Sequence, residues 1–278
     1  MKIWFCDFWP NFCGEYFRKA ISLAIGQEVT LNPKPDILFY SVFGSSHKQF
    51  RCKKVMYTGE TRKSEGFNVS LSFDEDGVSN VRLPLWVLYI DWFGQGYNEQ
   101  KNPGYLIPYD NLTSRKLGSR EKFCNFIYNN NSGPRVEFFD KLSAYSTIDS
   151  PGSLCNNQPH LGGNEKHKID FQSRCKFSIS FENTYYHGYV TEKILHPFAA
   201  GSLPIYWGSD IVKRDFNPKS FIYAGDFESL DNLVSHIKLV NENDDLFMSY
   251  IKEPCFANNS IAEEFLPVSI GRKIVGRL

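Results

Sequence analysis

No stretch of this sequence approaches the run of about 20 apolar residues that a membrane-crossing helix needs. The opening MKIWFCDFWPNFCGEYF also lacks the extended apolar core of a secretory signal. Net charge is absent as well: 31 Lys and Arg balance 31 Asp and Glu. That excludes a long-range field able to gather nucleic acid or coat an anionic lipid surface, so any charged ligand must be gripped locally. Cysteine is present but unorganised. Cys6, Cys13, Cys52, Cys124, Cys155, Cys175 and Cys255 are odd in number, scattered, and never spaced as C-x-x-C, which argues against both a disulfide framework and a zinc site. The six histidines show no metal-ligand spacing, and no internal repeat or low-complexity tract is found. These absences point to a cytoplasmic chain, at most peripheral to the inner membrane, with no nucleic-acid partner and no metal site.

Aromatic side chains are plentiful: 24 Phe, 15 Tyr and 5 Trp among 278 residues. Such an excess suits carbohydrate contact, although core packing is its commoner use. Phe5, Phe8 and Trp9 near the first strand end are open to both readings. The length favours two compact units. Short apolar runs alternate with helix-period segments: KIWFCDF, a helix over 14–25 with Phe17, Ala20, Ile21 and Ala24 on one face, then DILFYSVFG and KKVMYTGE. That pattern is α/β, and Gly26 stands where the helix should stop. A polar, turn-rich passage over 95–120 marks the expected boundary. A second series follows with KFCNFIYN, a helix from Arg135 to about Tyr145, a Gly/Pro/Asn-rich stretch over 150–164, then KFSISFEN, TEKILHPFAA and SLPIYWGS, with Gly201 ending the helix. The expected domains are 1–115, 116–260, and a C-terminal segment 261–278 packing back on the first.

The chemistry concentrates in 181–209. The loop ENTYYHGY lies between a strand end and a helix start, where open α/β sheets bind ligands. Thr191 reads as the helix N-cap, which would aim free backbone N–H groups and the positive dipole end at that loop and favour a phosphate. Lys193 in the first turn adds positive charge where a helix disfavours it; the bland account is a surface pair with an acidic neighbour. Arg135 has the forked geometry for a diphosphate clamp, and Glu192 could accept from ribose hydroxyls or merely suit the helix dipole. Asp74-Glu75-Asp76 has a metal-holding D-x-D form but reads better as a surface turn before Gly77. His187 and His196 are unassigned, with His187 taken as solvated.

FENTYYHGYVTEKI followed by SLPIYWGS and DFNPKSFI resembles the donor-site signature of the α-1,3-fucosyltransferases, glycosyltransferase family 10. Weaker agreement runs through KFCNFIYNNNSGPR and MYTGE. The resemblance implies an α/β, GT-B-like fold of two Rossmann-like domains facing across a cleft. It further implies an inverting transfer of L-fucose from GDP-L-fucose to the 3-OH of GlcNAc in a lactosamine-type oligosaccharide, with no cofactor beyond the donor. Carried over by position, Arg135 and Lys193 neutralise the diphosphate, Glu192 holds the ribose, Asn183 and Tyr189 line the pocket, and Glu60 in Tyr57-Thr58-Gly59-Glu60 is the base. Lys219 in NPKSF belongs to the motif without an assigned role. The alternatives are a transferase of the same architecture with another nucleotide sugar, and a sugar-nucleotide-binding protein without catalysis.

Overall fold

Runs such as ILFY and VSLS are buried at every position, and such continuous apolar strands are characteristic of parallel sheets covered on both faces. In the computed structural model, which describes residues 1–10, 12–96, 105–114 and 116–278, the chain divides into two units of this kind. The first comprises 1–106 with 261–278, the second 107–260. Residues 97–104 and 115, part of the expected boundary passage, lie outside the described residues.

In the first unit, β1 (Lys2–Cys6) leads into α1 (Glu15–Ile25), followed by β2 (Thr30–Leu31), β3 (Ile37–Tyr40), β4 (Lys53–Tyr57), β5 (Val69–Ser72) and β6 (Asn80–Arg82). The sheet order is β2-β1-β3-β4-β5-β6, all parallel, with Phe5 opposite Phe39 and Phe39 opposite Val55. The α1 face foreseen from the sequence is the buried one: Phe17, Ala20 and Ile21 are inaccessible, and the helix stops at Gly26 with φ +66°.

The second unit holds β7 (Lys122–Asn125), α2 (Arg135–Ser143), β8 (Ile148–Asp149), α3 (Glu165–Gln172), β9 (Cys175–Phe181), α4 (Leu195–Ala200), β10 (Leu203–Trp207), β11 (Ile222–Tyr223), α5 (Leu230–Glu242) and α6 (Asp244–Ile251). Its parallel order is β8-β7-β9-β10-β11. Central β9 is covered on both faces, so its polar positions must find partners inside. Ser178 does so with Asn125 Nδ2 at 2.6 Å and Ser202 Oγ at 2.9 Å. Phe138, Phe177, Ile179, Phe181, Leu203, Ile205, Leu233 and Ile237 belong to one buried cluster.

The helix read over TEKILHPFAA is shorter than its sequence suggests. Residues 192–194 form a turn, and α4 begins at Leu195. The passage before β9 also holds α3, which the sequence reading passed over; Asn164 caps it, accepting from His167 N at 2.9 Å. Asp74 and Asp76 are used within the first unit, Asp74 pairing with Lys63 and Asp76 accepting from Lys273 Nζ at 2.6 Å and Arg82 N at 2.8 Å.

The last helix, α7 (Pro267–Arg277), packs along α1 in the first unit. The approach is close because Gly271 has no side chain: a Cβ there would lie 2.0 Å from the Ala20 carbonyl oxygen. Gly271→Ala should therefore separate the two helices and cost about 1–3 kcal/mol, as overpacking does. Thermal unfolding tests this, and an unchanged Tm would show that the helices can part without penalty.

Candidate active site

Parallel strands open their ligand-binding side at their carboxyl ends, and in the second unit three neighbouring strands, β7, β9 and β10, deliver the loops 126–134, 182–194 and 208–211 to that edge. The first residue past β9 is Glu182. Its backbone N–H continues the sheet by donating to Trp207 O at 2.8 Å, and its side chain is inaccessible to water. A buried carboxylate needs donors. Thr191 supplies its backbone N–H at 2.8 Å and its hydroxyl at 2.8 Å, and Tyr206 OH lies at 3.3 Å. Thr191 does not cap α4, which begins only at Leu195; its hydroxyl donates to Glu182 and accepts from Lys193. The loop between Glu182 and Thr191 is thereby closed. Ser209 Oγ holds it from the other side by accepting from Gly188 N at 2.9 Å.

Lys193 stands inside this closure. Its ammonium lies 3.3 Å from Glu182 Oε2 and 3.6 Å from Glu192 Oε1, and donates to Thr191 Oγ1 at 3.1 Å. Burial opposes its charge, but Glu192 and Glu182 more than offset that and hold the ammonium above the usual lysine range. Burial likewise works against the charged form of Glu192, while Lys193, Lys168 and His196 together keep its carboxyl below the ordinary range. For Glu182 burial prevails and pushes the carboxyl up. The acidic neighbours of Lys193 are thus real, yet Glu182 is buried and Glu192 and Lys193 are half-buried at a ligand-binding edge rather than spread on a solvated face.

Arg135 opens α2 and is 2% exposed. Its guanidinium lies over the Tyr128 ring at 4.0 Å, and donates to Asn130 O at 2.9 Å, Phe181 O at 2.8 Å and Asn183 Oδ1 at 2.7 Å. It joins the loops after β7 and β9, and only Asn183 among its partners is an exposed side chain. Tyr189 is 3% exposed, within electrostatic range of Lys193. Tyr185, Tyr186 and His187 are exposed along the same loop. Arg135, Asn183, Tyr189, Glu192 and Lys193 are therefore brought to one edge of one sheet. Lys219 is not. It sits in the turn Pro218–Ser220 on the amino-terminal side of β11, with its backbone N–H on Asn217 Oδ1 at 3.1 Å.

Glu60 follows β4 at the carboxyl edge of the first unit's sheet. It is half-buried in a turn held by Thr58, whose Oγ1 accepts from Glu60 N at 3.1 Å. At the same sheet edge Asp7, directly after β1, has φ +57°, and its carboxylate accepts from Ser46 N at 3.0 Å and His47 N at 2.9 Å and lies 2.7 Å from His47 Nδ1. Of the aromatics flagged for sugar contact, Phe5 and Phe8 pack with Phe12 and Phe17, and the Phe8 and Phe12 rings stack at 3.8 Å. Trp9 lies between Tyr57 and the exposed Phe43. Among the described residues no three His, Cys, Asp or Glu side chains are grouped as a metal site.

Residues 118–253 match the family described as glycosyltransferase family 10 (fucosyltransferase), C-terminal part, and residues 3–89 match the alpha-(1,3)-fucosyltransferase FucT N-terminal domain. The chain belongs to glycosyltransferase family 10. It is 30% identical over 290 residues to the alpha-(1,3)-fucosyltransferase FucT of Helicobacter pylori, an alignment covering 91% of this chain and 60% of that protein. It thus spans about three fifths of that relative's length. A crystal structure of an alpha1,3-fucosyltransferase superposes with a TM-score of 0.73 at 25% identity, covering 99% of this chain and 88% of the other. A crystal structure of an alpha1,3-fucosyltransferase with GDP-fucose gives 0.68 at the same identity and coverage. The fold of this family 10 chain is accordingly α/β and GT-B-like, each unit built on its own parallel sheet. No helix among its described residues is long and apolar enough to cross a membrane.

Two carboxyl groups near this edge escape the sequence reading. Glu182 stands in FEN, where its local signal is an acidic residue directly after a buried strand. Glu165, on the unforeseen α3, lies 3.0 Å from the inaccessible His196. Burial opposes its charge, but the adjoining His196, with Lys168 and Lys193, takes its carboxyl down to about 2 from 4.5. A carboxyl lowered on folding stabilises the folded state fully above its unfolded pKa, and that contribution is lost as pH falls through the folded one. Glu165→Gln should therefore lower Tm at pH 6, with the gap from the natural protein narrowing below pH 4.5 and closing towards about pH 2. Thermal unfolding across that range checks it; a gap independent of pH would contradict the assignment.

Proposed function

We propose that this chain transfers L-fucose from GDP-L-fucose to the 3-OH of GlcNAc in a lactosamine-type oligosaccharide, with inversion at the anomeric carbon and no cofactor beyond the donor. The observation that carries the reading is the half-buried Lys193 ammonium held beside Glu192 at the carboxyl edge of β9, with the Arg135–Asn183 pair on the same edge. An alpha1,3-fucosyltransferase crystallised with GDP-fucose shares the fold over 99% of this chain, and the relative from Helicobacter pylori carries the same activity in its name.

In this reaction negative charge grows on the departing diphosphate, and fixed positive groups in a water-poor site stabilise it without reorganisation. Lys193 faces that charge directly. Arg135 reaches it where Asn183 Oδ1 now lies, since Asn183 is an exposed residue whose side chain can give up the guanidinium. Glu192 accepts from the ribose hydroxyls, and the buried Tyr189 lines the nucleotide pocket. Lys219, on the amino-terminal side of β11, contributes to the shared motif rather than to the diphosphate. Glu60 removes the proton from the acceptor hydroxyl as it attacks, a general-base role suited to a half-buried carboxylate fixed by the Thr58 turn. We assign the reaction to the cytoplasm, on the odd number and unpaired spacing of the seven cysteines in the sequence.

Glu60→Gln should keep GDP binding within about twofold and lower turnover by about 10²–10⁴-fold, the range for loss of a general base. Calorimetric titration with GDP, UDP and ADP, followed by linkage analysis of the product formed with lactosamine, tests donor and acceptor separately. Preference for UDP or ADP would overturn the donor, and near-natural turnover in the Glu60 variant would overturn the base.

A further inference from the structure

The proposed transfer leaves one ionisable group of the site without a task. Glu182 is fully inaccessible, so it does not touch donor or acceptor, and its two oxygens are used differently. Oε1 takes the Thr191 backbone N–H at 2.8 Å and Tyr206 OH at 3.3 Å, contacts that fasten the 183–191 loop to the sheet. Oε2 takes the Thr191 hydroxyl at 2.8 Å and faces the Lys193 ammonium at 3.3 Å. The Thr191 hydroxyl is in turn 3.1 Å from the same ammonium. A lysine head is a point charge on a four-carbon stem with many rotamers. Here it is met by a carboxylate that cannot move, because the carboxylate stands on the end of β9 with its N–H on Trp207 O.

We infer that Glu182 is a positioning residue acting through Thr191 and Lys193: it fixes the Lys193 ammonium at the diphosphate subsite of the donor. This rests on the donor site argued above. Two other roles make opposite forecasts. A carboxylate that only added negative charge near the diphosphate would weaken GDP binding, so neutralising it would tighten GDP. A carboxylate that only plugged the core would, once changed, weaken every nucleotide alike.

The test combines Glu182→Gln, of nearly the same shape, with Glu182→Asp, Thr191→Val and Lys193→Ala. In protein labelled with ¹⁵N-lysine, the Lys193 ammonium should give a slowly exchanging proton resonance, identified by its loss in Lys193→Ala. That resonance should vanish in Glu182→Gln, weaken in Thr191→Val and persist in Glu182→Asp. Glu182→Gln should lower GDP affinity at least tenfold and guanosine affinity less than twofold. In the Lys193→Ala background the same change should alter GDP affinity less than twofold, because a residue acting through Lys193 has nothing left to act on. An unaltered ammonium resonance in folded Glu182→Gln, tighter GDP binding, equal losses for GDP and guanosine, or an undiminished effect without Lys193 would each overturn the inference. Should Glu182→Gln not fold, Thr191→Val carries the same comparison. If the natural protein bound no GDP, the donor reading would fall, and the ammonium resonance would still decide whether Glu182 holds Lys193.

Discussion

A carboxylate taken wholly out of water at the end of β9 governs the architecture of the second unit's binding edge. An unpaired ion in that position would cost several kcal/mol even after relaxation, so the surrounding chain must bring donors to it. Four come: the Thr191 N–H and hydroxyl, Tyr206 OH and the Lys193 ammonium. The first two require the chain to return to Glu182 after nine residues, which closes the loop. The third comes from β10, the neighbouring strand, whose register places Tyr206 opposite Ser180. The fourth puts a cation at the mouth of the loop. Loop shape, strand pairing and site charge are consequences of one desolvated group.

The loop also has a second anchor of opposite sign. Arg135, 2% exposed, donates to Phe181 O and Asn183 Oδ1 at the loop's start and to Asn130 O in the loop after β7. Tyr128, beneath its guanidinium, accepts from Phe181 N at 2.5 Å and donates to Ile179 O at 3.0 Å. The end of β9 is therefore gripped on both backbone polarities by Tyr128 of the β7 loop and Arg135 at the start of α2, while Glu182 grips the return. A site built this way is preorganised: its charges are placed by sheet-anchored groups, and little ordering remains to be done when a ligand arrives.

How much of this could be read from the sequence follows from the range over which each feature is determined. The central β9 run, the Gly201 stop and the α1 face were legible because strand burial, helix periodicity and a left-handed glycine are local properties. The strands Thr30–Leu31, Asn80–Arg82 and Ile222–Tyr223 were not, since two or three residues are too few to show a period. Helix α3 was missed because EKHKIDFQ lacks a clean apolar stripe, and what holds it is packing against α4 and β9. Thr191 shows the converse: its local context suggests a cap, but the contact that holds it is to Glu182, nine residues away, and the helix starts only at Leu195. The clustering of Asn183, Tyr189, Glu192 and Lys193 was legible as a motif. The enclosure of Arg135 was not, since its partners come from two segments about fifty residues apart, 128–130 and 181–183.

The charge on this edge also orders the events of binding. Glu182, Glu192 and Lys193 together carry an excess of negative charge when both carboxyls are ionised, an arrangement that by itself repels a diphosphate. The excess can be relieved at Glu192 and not at Glu182. Glu192 holds Lys193 at 3.6 Å, longer than a hydrogen bond, and its side chain reaches solvent, whereas Glu182 is inaccessible and fixed by three further donors. On the proposed reaction Glu192 turns to the ribose as the nucleotide enters, and the ammonium exchanges that looser partner for phosphate oxygen. The contact to the inaccessible Glu182 remains, so Lys193 meets the ligand already aimed and gives up only the longer of its two ion pairs.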